Sequence, residues 1–168
     1  MLSKPLAYSG QAIAYVLFAA VIGYFSVFPT YQHLAPDMAL LKVSFSHFGQ
    51  HKEECRKRTE EELARLPPNM RAPMDCSRER SPVKVRVDMD GQLLYQETLS
   101  PGGVSKDGAS TVYRRFPVNA GKHALLVQLN DSVRIKGFNY TREQAIDIRP
   151  GKVVLVDFDP GKGGISIR

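Results

Sequence analysis

The chain has 168 residues, 43% of them hydrophobic, a formal net charge of +6 and two cysteines. This length suits one membrane anchor plus one folded domain large enough to bury its own core. The charge pattern argues against nucleic acid as a partner, because the basic run 56–58 is followed at once by the glutamates of 60–62. Nucleic-acid interfaces instead gather basic residues on one face. The modest basic surplus favours a position beside anionic lipid or an acidic partner.

Residues 11–28, QAIAYVLFAAVIGYFSVF, contain no acidic or basic side chain. A helix of this length approaches the thickness of the hydrocarbon core, and only a helix satisfies its own backbone there. The segment predicts a transmembrane helix after a short N-terminal segment, residues 1–10. A cleaved signal peptide is one alternative. It is disfavoured because a cleavage site follows small residues, whereas this apolar segment ends in Phe28. A buried core helix is the other, and the first position in the chain would be unusual for it.

The side of the membrane follows from the charges and the cysteines. Lys4 precedes the span, and only Lys42 is basic in the twenty residues after it, so the positive-inside bias favours a cytoplasmic N-terminus. Cys55 and Cys76 do not form a C-x-x-C motif and indicate one disulfide in an oxidising compartment. We therefore expect, for a bacterium, a single-pass inner-membrane protein with a periplasmic C-terminal domain, and for any other organism a luminal or extracellular domain.

One face of the predicted helix carries small residues spaced three and four apart. The spacing allows another helix to approach closely, as in small-xxx-small pairs. We expect this face to pack against an integral membrane partner or a second copy of the chain; the alternative is that Ala and Gly are simply common in membrane helices. The face consists of Ala12, Val16, Ala19, Gly23 and Ser26.

A Pro-containing linker, residues 29–39, leads into an alternating strand at residues 41–47. Helix propensity then predicts a helix over residues 52–66, which ends at Pro67 and Pro68. Its few apolar residues give it little hold on a core, so a Cys55–Cys76 bridge would tether it. We expect a helical and proline-rich insertion at residues 50–81.

The pattern changes after residue 82 to short alternating strands separated by turn signals. Asp90-Gly91 is a strong type I′ hairpin signal, and Pro150-Gly151 fits a type II turn. With the first strand, eight strands predict an antiparallel β-sandwich over residues 40–168. The later strands are predicted at residues 83–89, 92–99, 111–118, 123–129, 144–149, 153–158 and 165–167.

Residues 118–127, VNAGKHALLV, resemble the hairpin of small surface β-domains of the PEGA type. The layout of one anchor plus an extracytoplasmic sandwich is similar to bitopic accessory proteins of bacterial respiratory complexes, including cytochrome oxidase assembly factors. This resemblance implies a non-catalytic accessory or assembly subunit that contacts membrane protein partners and the lipid bilayer.

Two sets of residues raise the alternative of a periplasmic copper- or zinc-handling metallochaperone. His47, His51 and Cys55 follow one another at i, i+4 and i+8, and imidazole and thiolate are ligands for zinc and copper. Met70 and Met74 could join Cys76 around Cu(I). Against both sets, a disulfide removes the thiolates, and Phe48-Gly49 interrupts any continuous helix. We therefore expect structural roles for these residues and no metal or other cofactor.

The sequence offers no motif for nucleophilic catalysis, since no serine lies in a G-x-S-x-G pattern. His123, inside an alternating strand, is expected to be a half-buried structural histidine. We therefore expect no enzymatic activity. A remaining alternative is an envelope domain that binds glycan or peptide through the loops at residues 100–110 and 130–143.

Overall fold

A computed structural model describes residues 4–29 and 34–168 of the chain. The chain consists of two compact units, residues 1–35 and residues 36–168. Residues 1–3 of the predicted N-terminal segment and residues 30–33 of the predicted linker lie outside the described residues.

The first unit is built around helix α1 (Lys4–Val27). Its part Pro5–Val27, 23 residues, is long and apolar enough to cross a membrane, since a helix of that length spans about 35 Å. The described side chains of α1 are exposed, so the helix is not buried in a globular core. It begins earlier than the predicted residue 11, and Pro5 suits this start because proline is tolerated in a first helical turn.

The second unit is a β-sandwich with a small insertion. Its strands are β1 (Met38–His47), β2 (Arg56–Lys57), β3 (Met74–Asp75), β4 (Val83–Met89), β5 (Gln92–Leu99), β6 (Ser110–Asn119), β7 (Gly121–Asn130), β8 (Tyr140–Ile148), β9 (Val153–Asp159) and β10 (Gly164–Ile167). One four-stranded sheet has the order β10-β9-β1-β6, and the other has the order β5-β4-β7-β8. All eight sandwich strands were predicted from alternation and turn signals, which confirms the mainly-β fold class.

Strand pairing is antiparallel except between β1 and β9. Leu40 of β1 lies opposite Val153 of β9 in parallel register, while Met38 lies opposite Asn119 of β6 in antiparallel register. A parallel pair needs a long connection, and here nearly the whole domain connects the two strands. This pair departs from the purely antiparallel sandwich that local patterns indicated.

The core lies between the two sheets and is aliphatic. Alternate residues of the central strands point inward, as a pleat of period two requires. Because these side chains come from strands far apart in the chain, one continuous core holds the domain together. The core residues that are at most 1% exposed are Ala39, Leu41, Val43, Val83, Val85, Val87, Leu125, Val127, Leu129 and Val156.

Both predicted turns have the backbone that their residues favour. Asp90 and Gly91 have φ values of 52° and 78°, and a type I′ turn requires positive φ at both positions. Gly151 has a φ of 71°, and the Lys152 N–H donates to the Arg149 carbonyl at 3.1 Å to close the turn. These turns place β4 beside β5, and they carry the chain from β8 across to β9 in the other sheet.

The insertion between β1 and β4 is less helical than predicted. Helix α2 spans only Glu60–Arg65, after a capping box in which Thr59 and Glu62 exchange hydrogen bonds. The prediction of a helix over residues 52–66 is wrong for its first half. There Arg56 and Lys57 form β2, which pairs with β3 next to the disulfide, and these non-local bonds override helix propensity.

The connecting segments gather at the two ends of the sandwich. We call one the β1-start end, where Met38 lies with the turns at residues 90–91, 119–121 and 149–152. We call the other the loop end, where β1 finishes at His47. The loop end also carries the insertion and the loops at residues 100–109 and 131–139.

Candidate functional site

A disulfide and a histidine lie together in the insertion. Cys55 and Cys76 are bonded, with their Cα atoms 4.3 Å apart, which confirms the predicted pair. A ring nitrogen of His51 and the two sulfurs lie within 4.8 Å of one another, and all three residues are partly exposed. The structure thus brings together His51 and Cys55 of the first predicted metal set and Cys76 of the second. We call these residues the His51 cluster.

Backbone contacts orient the ring of His51. Its Nδ1 is 2.6 Å from the carbonyl oxygen of Ser77, and the residue pairs with Arg80 in an isolated antiparallel bridge. A carbonyl oxygen only accepts, so in the neutral ring Nδ1 carries the proton and Nε2 carries the lone pair. Metal-binding histidines are commonly oriented by this kind of hydrogen bond.

Ion pairs flank the disulfide and join the two arms of the insertion, which are the segment that leaves β1 (residues 48–59) and the returning arm that leads to β4 (residues 71–82). Arg56 lies 2.8 Å from Asp75 and Arg58 lies 2.9 Å from the same carboxylate. Arg56 also reaches Glu62 at 3.0 Å, and this hydrogen bond lowers the pKa of the Glu62 carboxyl. Exposed ion pairs contribute little to stability individually, so the disulfide is the main tether of the two arms.

His47 belongs to a different network at the loop end. Its Nε2 is 2.9 Å from Oδ2 of Asp131, whose Oδ1 accepts from Gln50 at 3.2 Å and from Asn139 at 2.7 Å. The Asp131 side chain is only 4% exposed. Burial raises the pKa of Asp131, but the hydrogen bonds from His47 and Asn139 outweigh it, so this pKa lies below its ordinary value. The network ties the end of β1 to the β7–β8 loop.

The two predicted methionine ligands lie on the surface of the insertion. Met70 ends the 3-10 turn Pro68–Met70, and Met74 begins β3. Their exposed fractions are 60% and 46%. Met74 is two residues before Cys76, and an extended chain places such residues on the same side. Met74 is therefore the predicted methionine ligand that lies nearer to Cys76 along the chain.

The predicted small-residue face lies within the continuous helix α1. Ala12, Val16, Ala19, Gly23 and Ser26 all fall inside its bounds and are exposed. A Cβ atom built at Gly23 would meet nothing within 4 Å. Packing within the described part of the chain therefore does not require a glycine at this position. The small size of this residue is therefore explained either by contact with an external partner or by the usual composition of membrane helices.

Both of the loops predicted as a glycan or peptide site line a shallow groove of about 280 Å³ at the loop end. The Arg80 N–H donates to the Lys106 carbonyl at 2.9 Å, and the Val133 N–H donates to the Ser81 hydroxyl at 3.2 Å. Both loops are thus held against the returning arm of the insertion. The groove is lined by Lys52, Glu79, Arg80, Pro82, Ser100, Pro101, Lys106 and Val133.

A basic and aromatic patch on the outer face of the β1–β6 pair was not predicted. Val112 is 4% exposed and faces the core, so the next residue, Tyr113, faces outward and is 51% exposed. The Lys42 ammonium lies 4.9 Å from the ring centroid of Tyr113, and the Arg115 guanidinium lies 5.7 Å from it. We call these three residues the Tyr113 patch. Alternation in β6 was the available signal, but the position of Lys42 opposite Arg115 depends on strand register.

No protein-family model matches the sequence, and no curated protein matches it.

Proposed function

We propose that this protein is a non-catalytic, membrane-anchored subunit whose sandwich domain contacts a larger membrane protein complex outside the cytoplasm. The observation that carries the proposal is an exposed apolar helix joined to a separately folded β-sandwich. Between Pro5 and Val27 there is no acidic or basic side chain, so α1 offers no charged relay for ions or protons. Anchoring and helix contact are the roles that remain for it.

The small-residue face of α1 supports contact with another membrane helix. Ala19 and Gly23 stand four residues apart, and two such positions let helix backbones approach closely in lipid. The open space around Gly23 supports an outside partner, because no neighbour within the described chain occupies the space that a side chain at this position would fill. A second copy of the chain could use the same face, and the experiment below distinguishes the two.

The Tyr113 patch is the surface of the sandwich best suited to a protein partner. Tyrosine and arginine are enriched at the energetic centres of interfaces. Cation–π contacts from Lys42 and Arg115 hold the ring in place before binding, which lowers the entropy lost on association. The basic side chains favour an acidic surface on the partner.

The compartment is proposed from the charges and the disulfide. Lys4 before the span favours a cytoplasmic N-terminus, and a Cys55–Cys76 bridge persists in oxidising compartments. In a bacterium this corresponds to the periplasmic side of the inner membrane. A respiratory complex of the cytochrome oxidase type is the partner class we propose, from the similarity of layout.

Site-specific photo-crosslinking in native membranes tests the proposal. A photoreactive residue at Ala19 samples the small-residue face, and one at Val21, on the opposite side of the same helix, is the matched control. A second pair compares Tyr113 with Gln96 on the outer edge of the other sheet. We expect Ala19 and Tyr113 to give adducts with subunits of one and the same complex, and the two controls to give none.

Other outcomes would contradict the proposal. Adducts that contain only the protein itself indicate self-association rather than an accessory role. Equal adducts from Ala19 and Val21 indicate random collision in the bilayer. A mature protein that starts after Phe28 in N-terminal sequencing would remove the anchor and the proposal with it.

A further inference from the structure

We propose that the His51 cluster is a redox-gated metal site, in which reduction of the Cys55–Cys76 disulfide frees two thiolates that bind one Zn²⁺ or Cu(I) ion together with Nε2 of His51. Both ions have filled d shells and prefer thiolate and imidazole ligands. The inference concerns only residues of the insertion, so it stands independently of the partner complex proposed above.

The spacing of the three groups suits a metal ion. In a tetrahedral site with metal–sulfur bonds of about 2.3 Å and metal–nitrogen bonds of about 2.0 Å, neighbouring ligand atoms lie about 3.5–3.8 Å apart. One ring nitrogen of His51 already lies within 4.8 Å of both sulfurs. On reduction the sulfurs must separate, and rotation about the two Cα–Cβ bonds provides that movement while the backbone stays in place.

The orientation of His51 is an independent observation that points to a ligand. The hydrogen bond from Nδ1 to the Ser77 carbonyl leaves Nε2 as the free lone pair. A backbone carbonyl on the far nitrogen is a frequent outer partner of metal-binding histidines. The ring is therefore held in the tautomer that a metal requires before any metal arrives.

Several contacts still join the two arms of the insertion when the disulfide, which is their main tether, is open. β2 pairs with β3, and Arg56 and Arg58 both contact Asp75, so contacts other than the disulfide connect the two arms. The bridge between His51 and Arg80 holds the histidine to the returning arm. An ion bound to His51, Cys55 and Cys76 would replace the covalent tether with a coordinate one.

The redox step needs a dithiol reductant of the Cys-x-x-Cys class. Its two thiols exchange through a mixed disulfide and become a disulfide, while Cys55 and Cys76 take up two electrons and two protons and become thiols. Metal binding then releases those two protons to solvent, because both sulfurs coordinate as thiolates. A disulfide of the same Cys-x-x-Cys class reverses the step: it takes the two electrons and, with two protons from solvent, becomes a dithiol, while the Cys55–Cys76 bond re-forms and the ion is expelled.

Metal titration of the full-length protein in detergent tests the proposal. One sample stays oxidised; the other is reduced with excess dithiothreitol, which is then removed without oxygen. Co²⁺ serves as a spectroscopic probe, and Zn²⁺ and Cu(I) are titrated in separate arms against chromogenic chelators. We expect one ion per reduced chain with thiolate-to-cobalt charge transfer, and no binding by the oxidised chain. Tight binding in either arm supports the site and identifies the ion.

The matched variants are His51→Ala and His123→Ala. Both variants retain Cys55 and Cys76 and can therefore form the disulfide. His123 lies at the β1-start end of the sandwich, away from the His51 cluster at the loop end. We expect His51→Ala to weaken metal binding by more than about 100-fold and His123→Ala to leave it unchanged. Hydrogen exchange of the core strands reports whether the reduced protein is still folded.

Four results would overturn the proposal. They are no binding of either ion after reduction, equal binding by the oxidised and reduced chains, equal affinity of His51→Ala and the unaltered protein, and loss of protection in the core strands on reduction alone.

Discussion

His123 and Asp90 are joined across the β1-start end of the sandwich, with Nδ1 of the ring 2.7 Å from Oδ2 of the carboxylate. Nε2 of the same ring is 3.0 Å from the carbonyl oxygen of Asn119. Both partners accept hydrogen bonds, so both ring nitrogens donate only when the imidazole is protonated. The hydrogen bond to Asp90 raises the pKa of His123, and the bonds from His123 and the Ala124 N–H lower the pKa of Asp90.

The pair makes stability depend on pH in two directions. Because folding raises the pKa of His123, its contribution is complete below the unfolded value of about 6.5 and is lost as pH rises through the folded value. Because folding lowers the pKa of Asp90, its contribution is complete above about pH 4 and is lost as pH falls through the folded value.

We expect His123→Gln to lower the free energy of unfolding most at about pH 5–6 and progressively less as pH rises above the folded pKa of the histidine. Urea denaturation of the full chain at a series of pH values measures this. A difference between variant and unaltered protein that stays constant from about pH 5.5 to about pH 9 would show that the ring is not protonated in the pair.

Asp131 gives a second prediction, for acid conditions. Asn in its place accepts fewer of the three side-chain hydrogen bonds, so Asp131→Asn should lower the free energy of unfolding by about 2 kcal/mol at neutral pH. Because folding lowers the pKa of Asp131, its contribution is lost as pH falls through the folded value, and the difference should shrink below about pH 4. Denaturation at neutral and acid pH measures both, with exposed Asp147→Asn as the control. Equal effects of the two variants would contradict a structural role for the network.

Gly49 marks the point where the insertion leaves β1. A Cβ atom there would overlap the carbonyl oxygen of Ser81 and lie 3.3 Å from the carbonyl oxygen of Asp131. These are backbone atoms of segments that bond to Gln50 at 2.8 Å on both sides, so they cannot yield separately. We expect Gly49→Ala to lower the free energy of unfolding by about 1–3 kcal/mol in urea denaturation.

The matched control for Gly49 is Gly161→Ala. A Cβ atom at Gly161 would meet only the side-chain Oδ1 of Asp159 at 3.3 Å, and this atom can shift by a few tenths of an ångström while it still accepts from the Gly161 N–H. We expect a change within about 0.5 kcal/mol. If both glycine variants are equally stable, the approach of the insertion to Ser81 is looser than the structure has it.

Gly23 separates folding from association. Because no described atom outside the backbone of α1 lies within 4 Å of a Cβ at this position, Gly23→Leu should leave the free energy of unfolding of the sandwich unchanged. The larger side chain should nevertheless block close helix approach and remove the adducts formed from Ala19 in the crosslinking experiment. Val21→Leu, on the opposite side of α1, should keep those adducts. Undiminished adducts in Gly23→Leu would exclude this face as the contact surface.

Local patterns predicted the strands because alternation and turn chemistry act over a few residues. Asp90-Gly91 and Pro150-Gly151 carry their own φ preferences, so their turns form where the sequence indicates them. The same kind of reasoning was wrong at residues 52–59. There Arg56 and Lys57 have good helix propensity, yet pairing with β3 and the Cys55–Cys76 bond take the backbone away from the helix.

For the candidate site residues too, local features were predictable from the sequence and long-range contacts were not. The cysteine pair was predictable from count and spacing, and the small-residue face from helical periodicity. The partners of the histidines were not, since His47 meets Asp131 across 84 positions and His123 meets Asp90 across 33. The spacing along the chain grouped His51 with His47 and Cys55, whereas the structure groups it with Cys55 and Cys76.

By itself the sequence determined an apolar helix, a disulfide and a chain of alternating strands, because hydrophobic period, cysteine number and turn residues are properties of neighbouring positions. Only the tertiary structure decided that β1 runs parallel to β9, that Lys42 and Arg115 both contact the ring of Tyr113, and that His51 lies close to the two sulfurs. The physical reason is that strand register and side-chain burial depend on which distant segments share one core, and this is determined only when the whole chain is folded.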